Sequence, residues 1–248
     1  MKRLYLFLLV CVFCLSTMQI SLNASEETTA TVIDMEELKQ LVHRTMKKAG
    51  VPGLSIAVDS GDESVFLSYG TANRQGEAVT SHTYFEIGSM SKAFTAMGIY
   101  LLEEEGKLKL TDPVSNYLPF LFFRYKGYDD PVDITLEMLL HHKSGIPYKT
   151  ITEIPEGDTE DKLYETVAML QDTVLDFYPG TKYQYVTINY DILGLVIQEI
   201  SGVSYETFIY DQILKPLGLN ETYLFRDDAR DNGVLADGYR RSFFTTHY

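Results

Sequence analysis

The chain has 248 residues, 45% hydrophobic and 23% charged, with a formal net charge of −14 and two cysteines. That length holds one large domain or two small ones, with enough apolar residues for a real core. The acidic balance argues against nucleic acid and anionic membrane surfaces as partners.

Residues 1–25 read as a secretory signal peptide. Lys2 and Arg3 open it, residues 4–15 are an apolar run, and Asn23-Ala24-Ser25 supplies small residues for cleavage. The other reading, an uncleaved membrane anchor, wants about 20 apolar residues. Here Ser16, Thr17 and Gln19 interrupt the run. Cys11 and Cys14 both fall in this leader, so the remaining chain has no cysteine for a disulfide or a thiolate metal site. The rest, residues 26–248, reads as one α+β domain: a helix and β-hairpin over 26–83, then a mainly helical lobe over 84–248.

Asp34, with Glu37 three residues on, marks a helix start. Met35, Leu38, Leu41, Val42, Thr45, Met46 and Ala49 are its expected buried stripe, and Gly50 its stop. After the Pro52-Gly53 turn, 54–58 and 64–69 read as paired strands around Gly61-Asp62. A helix follows from Ser89 to about 105, with Ala93, Met97, Tyr100 and Leu101 expected on its buried side. Thr135 is a cap for a short helix over 136–142, broken by Lys143-Ser144-Gly145-Ile146-Pro147. Residues 153–162 are acidic and loop-like, and 162–176 look helical. A strongly apolar helix over 188–200 ends at Ser201-Gly202. Ser204 caps another that stops before Pro216.

The chemistry concentrates at Ser89-Met90-Ser91-Lys92. A serine hydroxyl is a weak nucleophile until a base takes its proton. Positions i and i+3 share a helix face, so Lys92 can return its amine to Ser89 Oγ. The helix start adds unpaired N–H groups and a partial positive charge, both favourable to a developing anion. S-x-x-K alone is a weak signal, since a solvated helix start carries the same residues.

The context decides. Five stretches occur in order: 85–94 around S-x-x-K; 106–114, Gly-Lys-Leu-Lys-Leu-Thr-Asp-Pro-Val; 134–147, ending Leu-Leu-His-His-Lys-Ser-Gly-Ile-Pro; 178–185, Tyr-Pro-Gly-Thr-Lys-Tyr-Gln-Tyr; and 213–219, Ile-Leu-Lys-Pro-Leu-Gly-Leu. Together they resemble the serine β-lactamase and penicillin-binding protein superfamily, in its class C β-lactamase, D-alanyl-D-alanine carboxypeptidase and esterase branch. The resemblance covers roughly residues 34–240. It implies a β-lactamase/transpeptidase-like fold, an antiparallel sheet with an inserted helical lobe. It implies Ser89 as acylated nucleophile, Lys92 as its base and Tyr185 as a second proton carrier. The implied substrate is a small molecule or a peptidoglycan-derived peptide: a β-lactam, a D-alanyl peptide or ester, or a simple ester. No cofactor and no metal are implied.

Two departures from the pattern stand out. The Tyr-x-Asn motif reads Tyr185-Val186-Thr187, so Thr187 takes the place of a substrate-binding amide; Asn189 comes two residues late. A Lys- or His-x-Gly motif does not follow Tyr185, and the late sheet strands are expected to be missing. Two function classes therefore stay open: an exported serine acyl hydrolase, or an impaired truncated relative that binds cell-wall fragments or is inactive. The adjacent His141-His142 point about 100° apart on a helix and do not chelate one ion; the resemblance puts them in a structural turn.

Overall fold

The computed structural model describes residues 35–59, 64–153, 161–241 and 246–247. The leader expected over 1–25, Asp34, the expected Gly61-Asp62 turn and most of the 153–162 segment lie outside them. Backbone contacts divide the chain into two units, Met1–Val51 and Pro52–Tyr248.

The first unit contains α1 (Met35–Ala49), with Glu36 and Glu37 in its first turn and Lys47 and Lys48 in its last. Both suit the helix dipole. Gly50, at φ 67°, ends it in the left-handed region that glycine adopts freely. Val42 is the buried residue of this helix. Leu41, Thr45 and Ala49, expected in its buried stripe, are exposed. The apolar side narrows to Met35, Leu38, Val42 and Met46, which follow the 3.6-residue period more closely.

The second unit opens with an antiparallel hairpin, β1 (Gly53–Asp59) and β2 (Ser64–Gly70), in register from Gly53 opposite Gly70 to Asp59 opposite Ser64. Leu54, Ile56 and Val58 face the same way as Val65, Leu67 and Tyr69, all half-buried. Among the described residues no further strand pairs with either edge. Two small two-stranded pieces complete the β-structure: β3 (Phe123–Arg124) parallel to β4 (Thr173–Val174), and β5 (Arg240–Arg241) antiparallel to β6 (Thr246–His247).

The core belongs to the helices. A 3₁₀ turn at Gly88–Ser91 runs into α2 (Lys92–Glu104). It is followed by α3 (Leu136–Leu140), α4 (Asp161–Ala168), α5 (Ile188–Ser201), α6 (Tyr205–Ile209), a π-helical turn at Tyr210–Leu214, and α7 (Arg226–Asn232). α5 is the hub: Ile188, Ile192, Leu193, Leu195, Val196 and Ile197 are fully buried, and α2, α3, α4 and α6 pack around it. A helix apolar on all sides is a central one. No single described helix is long and apolar enough to cross a membrane.

Two expectations change here. α2 buries Thr95, Gly98, Ile99 and Leu102, while Ala93, Met97 and Tyr100 are exposed. The helix is apolar nearly all round, so periodicity left two candidate faces. The stripe with the small Gly98 was chosen by close approach to α5 and α6: a Cβ there would lie 2.8 Å from Ile197 Cδ1 and 3.2 Å from Phe208 Cε1. Second, the helix over 162–176 stops at Ala168. Asp172 turns the chain at φ 64°, its N–H donates to Phe122 O, its carboxylate pairs with Arg124, and the chain continues as β4. Leu170, Leu175 and Phe177 are all buried, a spacing that this turn satisfies and a continued helix does not.

Candidate active site

The 3₁₀ turn is tighter than an α-helix and projects Ser89 outward at the head of α2. Lys92, first residue of α2, returns its side chain to that turn and donates from Nζ to Ser89 Oγ at 3.1 Å. Tyr185 Oη donates to the same Oγ at 2.7 Å. Ser89 and Tyr185, 96 positions apart in the chain, meet on one oxygen.

The segment before α5 delivers Tyr185, and it hangs from the turn after α3. Gly180 N–H donates to Lys143 O at 2.8 Å, Gln184 N–H to His142 O at 2.9 Å, and Val186 N–H to His142 Nδ1 at 3.3 Å. His142 is left-handed at φ 54° and buried. Its ring lies 4.4 Å from that of Tyr185 and 5.4 Å from that of Tyr190, centroid to centroid. Burial first, then the Lys92 charge, hold its pKa down. A neutral ring with an unprotonated Nδ1 is what the Val186 N–H requires. Asn189, fully buried, accepts from Ser144 Oγ at 2.8 Å and sends its amide hydrogens toward Leu139 O and His142 Nδ1, both at 3.4 Å. Its partners, Ser144, Leu139 and His142, belong to the scaffold that aims Tyr185.

The electrostatics of Tyr185 follow from its neighbours. Its pKa lies below that of an ordinary tyrosine. Hydrogen bonding to Ser89 is the largest cause, followed by hydrogen bonding to Lys92; burial opposes them, and the Lys92 charge and Thr187 add smaller lowering effects. Lys92 Nζ stands 5.3 Å from the Tyr185 ring centroid and 5.7 Å from that of Tyr190. Thr187, read from the sequence as a substrate contact, is thus one of the groups that favour the Tyr185 phenolate.

Ser89 is exposed and Tyr185 retains 38% of its surface. A cavity of about 540 Å³ adjoins the turn, lined by Gly88, Ser91, Phe94 and Tyr205 among others, but not by Ser89, Lys92 or Tyr185.

Two features had no sequence signal. Tyr190 donates from Oη to Leu140 O at 3.0 Å and places its ring against Lys92. Asp191, in the first turn of α5, has a buried Oδ2 with no hydrogen-bond partner; desolvation pushes its pKa up to about 6, and the nearby Lys92 charge pulls the other way. In sequence it reads as an ordinary acid at a helix start.

An antiparallel hairpin accompanies a helical lobe, and serine, lysine and tyrosine converge just before the central helix, an arrangement of the kind that serine acyl-transfer chemistry uses. The Beta-lactamase family model matches residues 38–242, and the chain belongs to that family. Its fold is β-lactamase/transpeptidase-like. Protein flp of Staphylococcus aureus (strain MW2) is 32% identical over 190 residues, 75% of this chain and 38% of that protein. The octameric penicillin-binding protein homologue from Pyrococcus abyssi superposes with a TM-score of 0.71 at 29% identity, over 87% of this chain and 50% of that one. A class C β-lactamase solved in complex with cefoxitin gives a TM-score of 0.65 at 30% identity, over 82% of this chain and 55% of that one. The chain spans 38% to 41% of the length of the flp proteins it matches.

Proposed function

We propose that this protein is a serine acyl hydrolase working through an acyl-enzyme. One observation carries the proposal: Tyr185 Oη at 2.7 Å and Lys92 Nζ at 3.1 Å share Ser89 Oγ. As phenolate, stabilised by the Lys92 ammonium, Tyr185 takes the Ser89 proton while Oγ bonds to the substrate carbonyl carbon. The negative charge moves to the carbonyl oxygen, which the Ser89 N–H at the head of the 3₁₀ turn helps to stabilise. The tetrahedral intermediate collapses as the bond to the leaving group breaks and Tyr185 passes its proton to that group. Water, deprotonated in turn by Tyr185, attacks the acyl-serine ester and frees the acid and Ser89.

The substrate classes are a β-lactam, a D-alanyl peptide or ester, including peptidoglycan-derived ones, and a simple ester. The class C relative that binds cefoxitin supports the first. The leader over residues 1–25 supports export to the cell envelope or medium, where such substrates occur.

Fluorescent penicillin and a p-nitrophenyl ester test the proposal. Covalent label and ester turnover are expected for the wild type and neither for Ser89→Ala; equal labelling of both removes Ser89 as nucleophile. Thr187 favours a second reading, an impaired relative that acylates or binds without turning over: with a hydroxyl in place of an amide, one partner for a substrate amide is lost. Stoichiometric label with no nitrocefin or ester turnover above the Ser89→Ala background selects it.

A further inference from the structure

The turn that carries the nucleophile has two faces in use. In a 3₁₀ turn, side chains at i and i+3 eclipse one another. Ser89 and Lys92 share one face and meet at Ser89 Oγ. Gly88 and Ser91 share another, where Ser91 Oγ donates to Gly88 O at 2.7 Å. The cavity of about 540 Å³ takes Gly88 and Ser91 into its wall, and neither Ser89 nor Lys92. It is a space on a different side of the turn from the nucleophile, and the hydrolase reading does not use it.

The lining limits what this space can hold. Tyr84, Phe85, Phe94, Tyr205, Tyr223 and Phe225 surround it, and Ile209, Leu214 and Ala229 of its wall are buried. Tyr84 and Tyr223 pack edge to face, with ring centroids 5.2 Å apart. Tyr205 Oη meets Thr95 Oγ1 at 2.7 Å, so its polar end already has a partner. The volume falls within the roughly 300–1,000 Å³ of pockets that hold small organic molecules. The charged and imidazole side chains of the lining are His82, Glu86, Glu221 and Arg226. All four are exposed and they face one another in pairs: Arg226 Nε and Glu86 Oε1 at 2.9 Å, His82 Nδ1 and Glu221 Oε2 at 3.9 Å. The guanidinium therefore has its carboxylate, and an anionic ligand would also meet Glu221. A ligand charge carried in among the apolar groups would go uncompensated, which is costly. An uncharged molecule with an aromatic body meets each of these conditions.

We infer that this cavity is a second binding site, for an uncharged aromatic small molecule, distinct from the site at Ser89 and set against another face of the same turn. The ligand packs among the six aromatic side chains and touches the turn at Gly88 and Ser91.

Nile red, uncharged and polycyclic, tests the site by its fluorescence on titration into the full chain. The wild type is expected to bind one dye with a Kd on the order of 10⁻⁵ M or tighter. Ala229→Phe fills the cavity from α7, and Leu224→Asp places a charge at an exposed position of its wall. Each is expected to weaken binding about tenfold or more. Thermal unfolding verifies that the variants are folded, and Leu224→Asp decides if Ala229→Phe is not. Two controls remove apolar surface elsewhere: Phe66→Ser on the exposed side of the hairpin and Tyr185→Ala beside the nucleophile. Both are expected to bind within about twofold of the wild type, as independent sites do. A wild type that binds no dye overturns the inference. So do cavity variants that bind as tightly as the wild type, and so does a loss confined to Tyr185→Ala or Phe66→Ser. No arm needs turnover, so a failure to take penicillin label rejects the hydrolase reading and leaves this result standing.

Discussion

Tyr185 shows how little a residue type says by itself. It is one of 18 tyrosines, and several others are as exposed. Its distinction is a neighbourhood of donors: the Ser89 hydroxyl, the Lys92 ammonium and the Thr187 hydroxyl all favour the phenolate. Tyr185→Phe removes the proton carrier but keeps the ring against His142. It is expected to lower the rate of Ser89 acylation by about 10²-fold or more, with little change in melting temperature. Burst labelling and thermal unfolding measure the two separately. Asp191 makes a prediction about stability. Its folded pKa of about 6 lies above the ordinary 3.8. Between those values the folded protein keeps a proton that the unfolded chain has released, so stability falls as pH rises through this window. The full effect is on the order of 3 kcal/mol, at about 1.4 kcal/mol per pH unit. Urea unfolding at pH 4 and pH 7 is expected to show this loss in the wild type and a much flatter dependence in Asp191→Asn.

Among the elements, the turn after α3 does the most to build the site. His142 through Gly145 anchors the chain that carries Tyr185 at both ends: Asp176 N–H donates to Gly145 O at 2.9 Å and Gln184 N–H to His142 O. Gly145 is at φ 83°, and a Cβ there would lie 2.3 Å from Phe177 O. A side chain at this position is strained in its backbone and blocked by a carbonyl that cannot swing aside. Gly145→Ala is expected to destabilise the protein by about 1–3 kcal/mol and to reduce acylation through misplacement of Tyr185. Gly50→Ala, with φ 67° but open space around its Cβ, is the milder control. The melting temperatures of the two variants rank them. The sequence marked both glycines as turn formers; the crowding that separates them depends on a strand of chain more than thirty residues away.

For the molecule as a whole, stability is divided unevenly. The largest fully buried side chains come from α2, α3 and α5 and from the segments that join the helices, such as Leu118, Leu121, Phe123 and Ile134, whereas the hairpin β1–β2 contributes none. Its inward residues are half-buried and its edges have no strand partner among the described residues. Hydrogen exchange in the native state is therefore expected to be slowest in the middle of α5 and α2 and much faster in β1 and β2. Equal protection of hairpin and α5 would contradict this division.

The amino-acid sequence alone determined what depends on local order. The S-x-x-K spacing, the Thr135 and Ser204 caps, the Gly50 and Gly202 stops and the alternating hairpin strands are readable because each involves neighbours within a turn or two along the chain. Thr135 Oγ1 accepts from Met138 N–H and Ser204 Oγ from Thr207 N–H, as capping requires. The tertiary structure decided everything that depends on which surfaces meet. It selected the Gly98 side of α2 over an equally apolar face, ended α4 early through the pairing of Arg124 with Asp172, and turned Asn189 into scaffold. It also buried one oxygen of the Asp191 carboxyl without a hydrogen-bond partner. Those choices are made by close packing and by burial of charge between segments distant in the chain, and neither leaves a periodic trace in the order of residues.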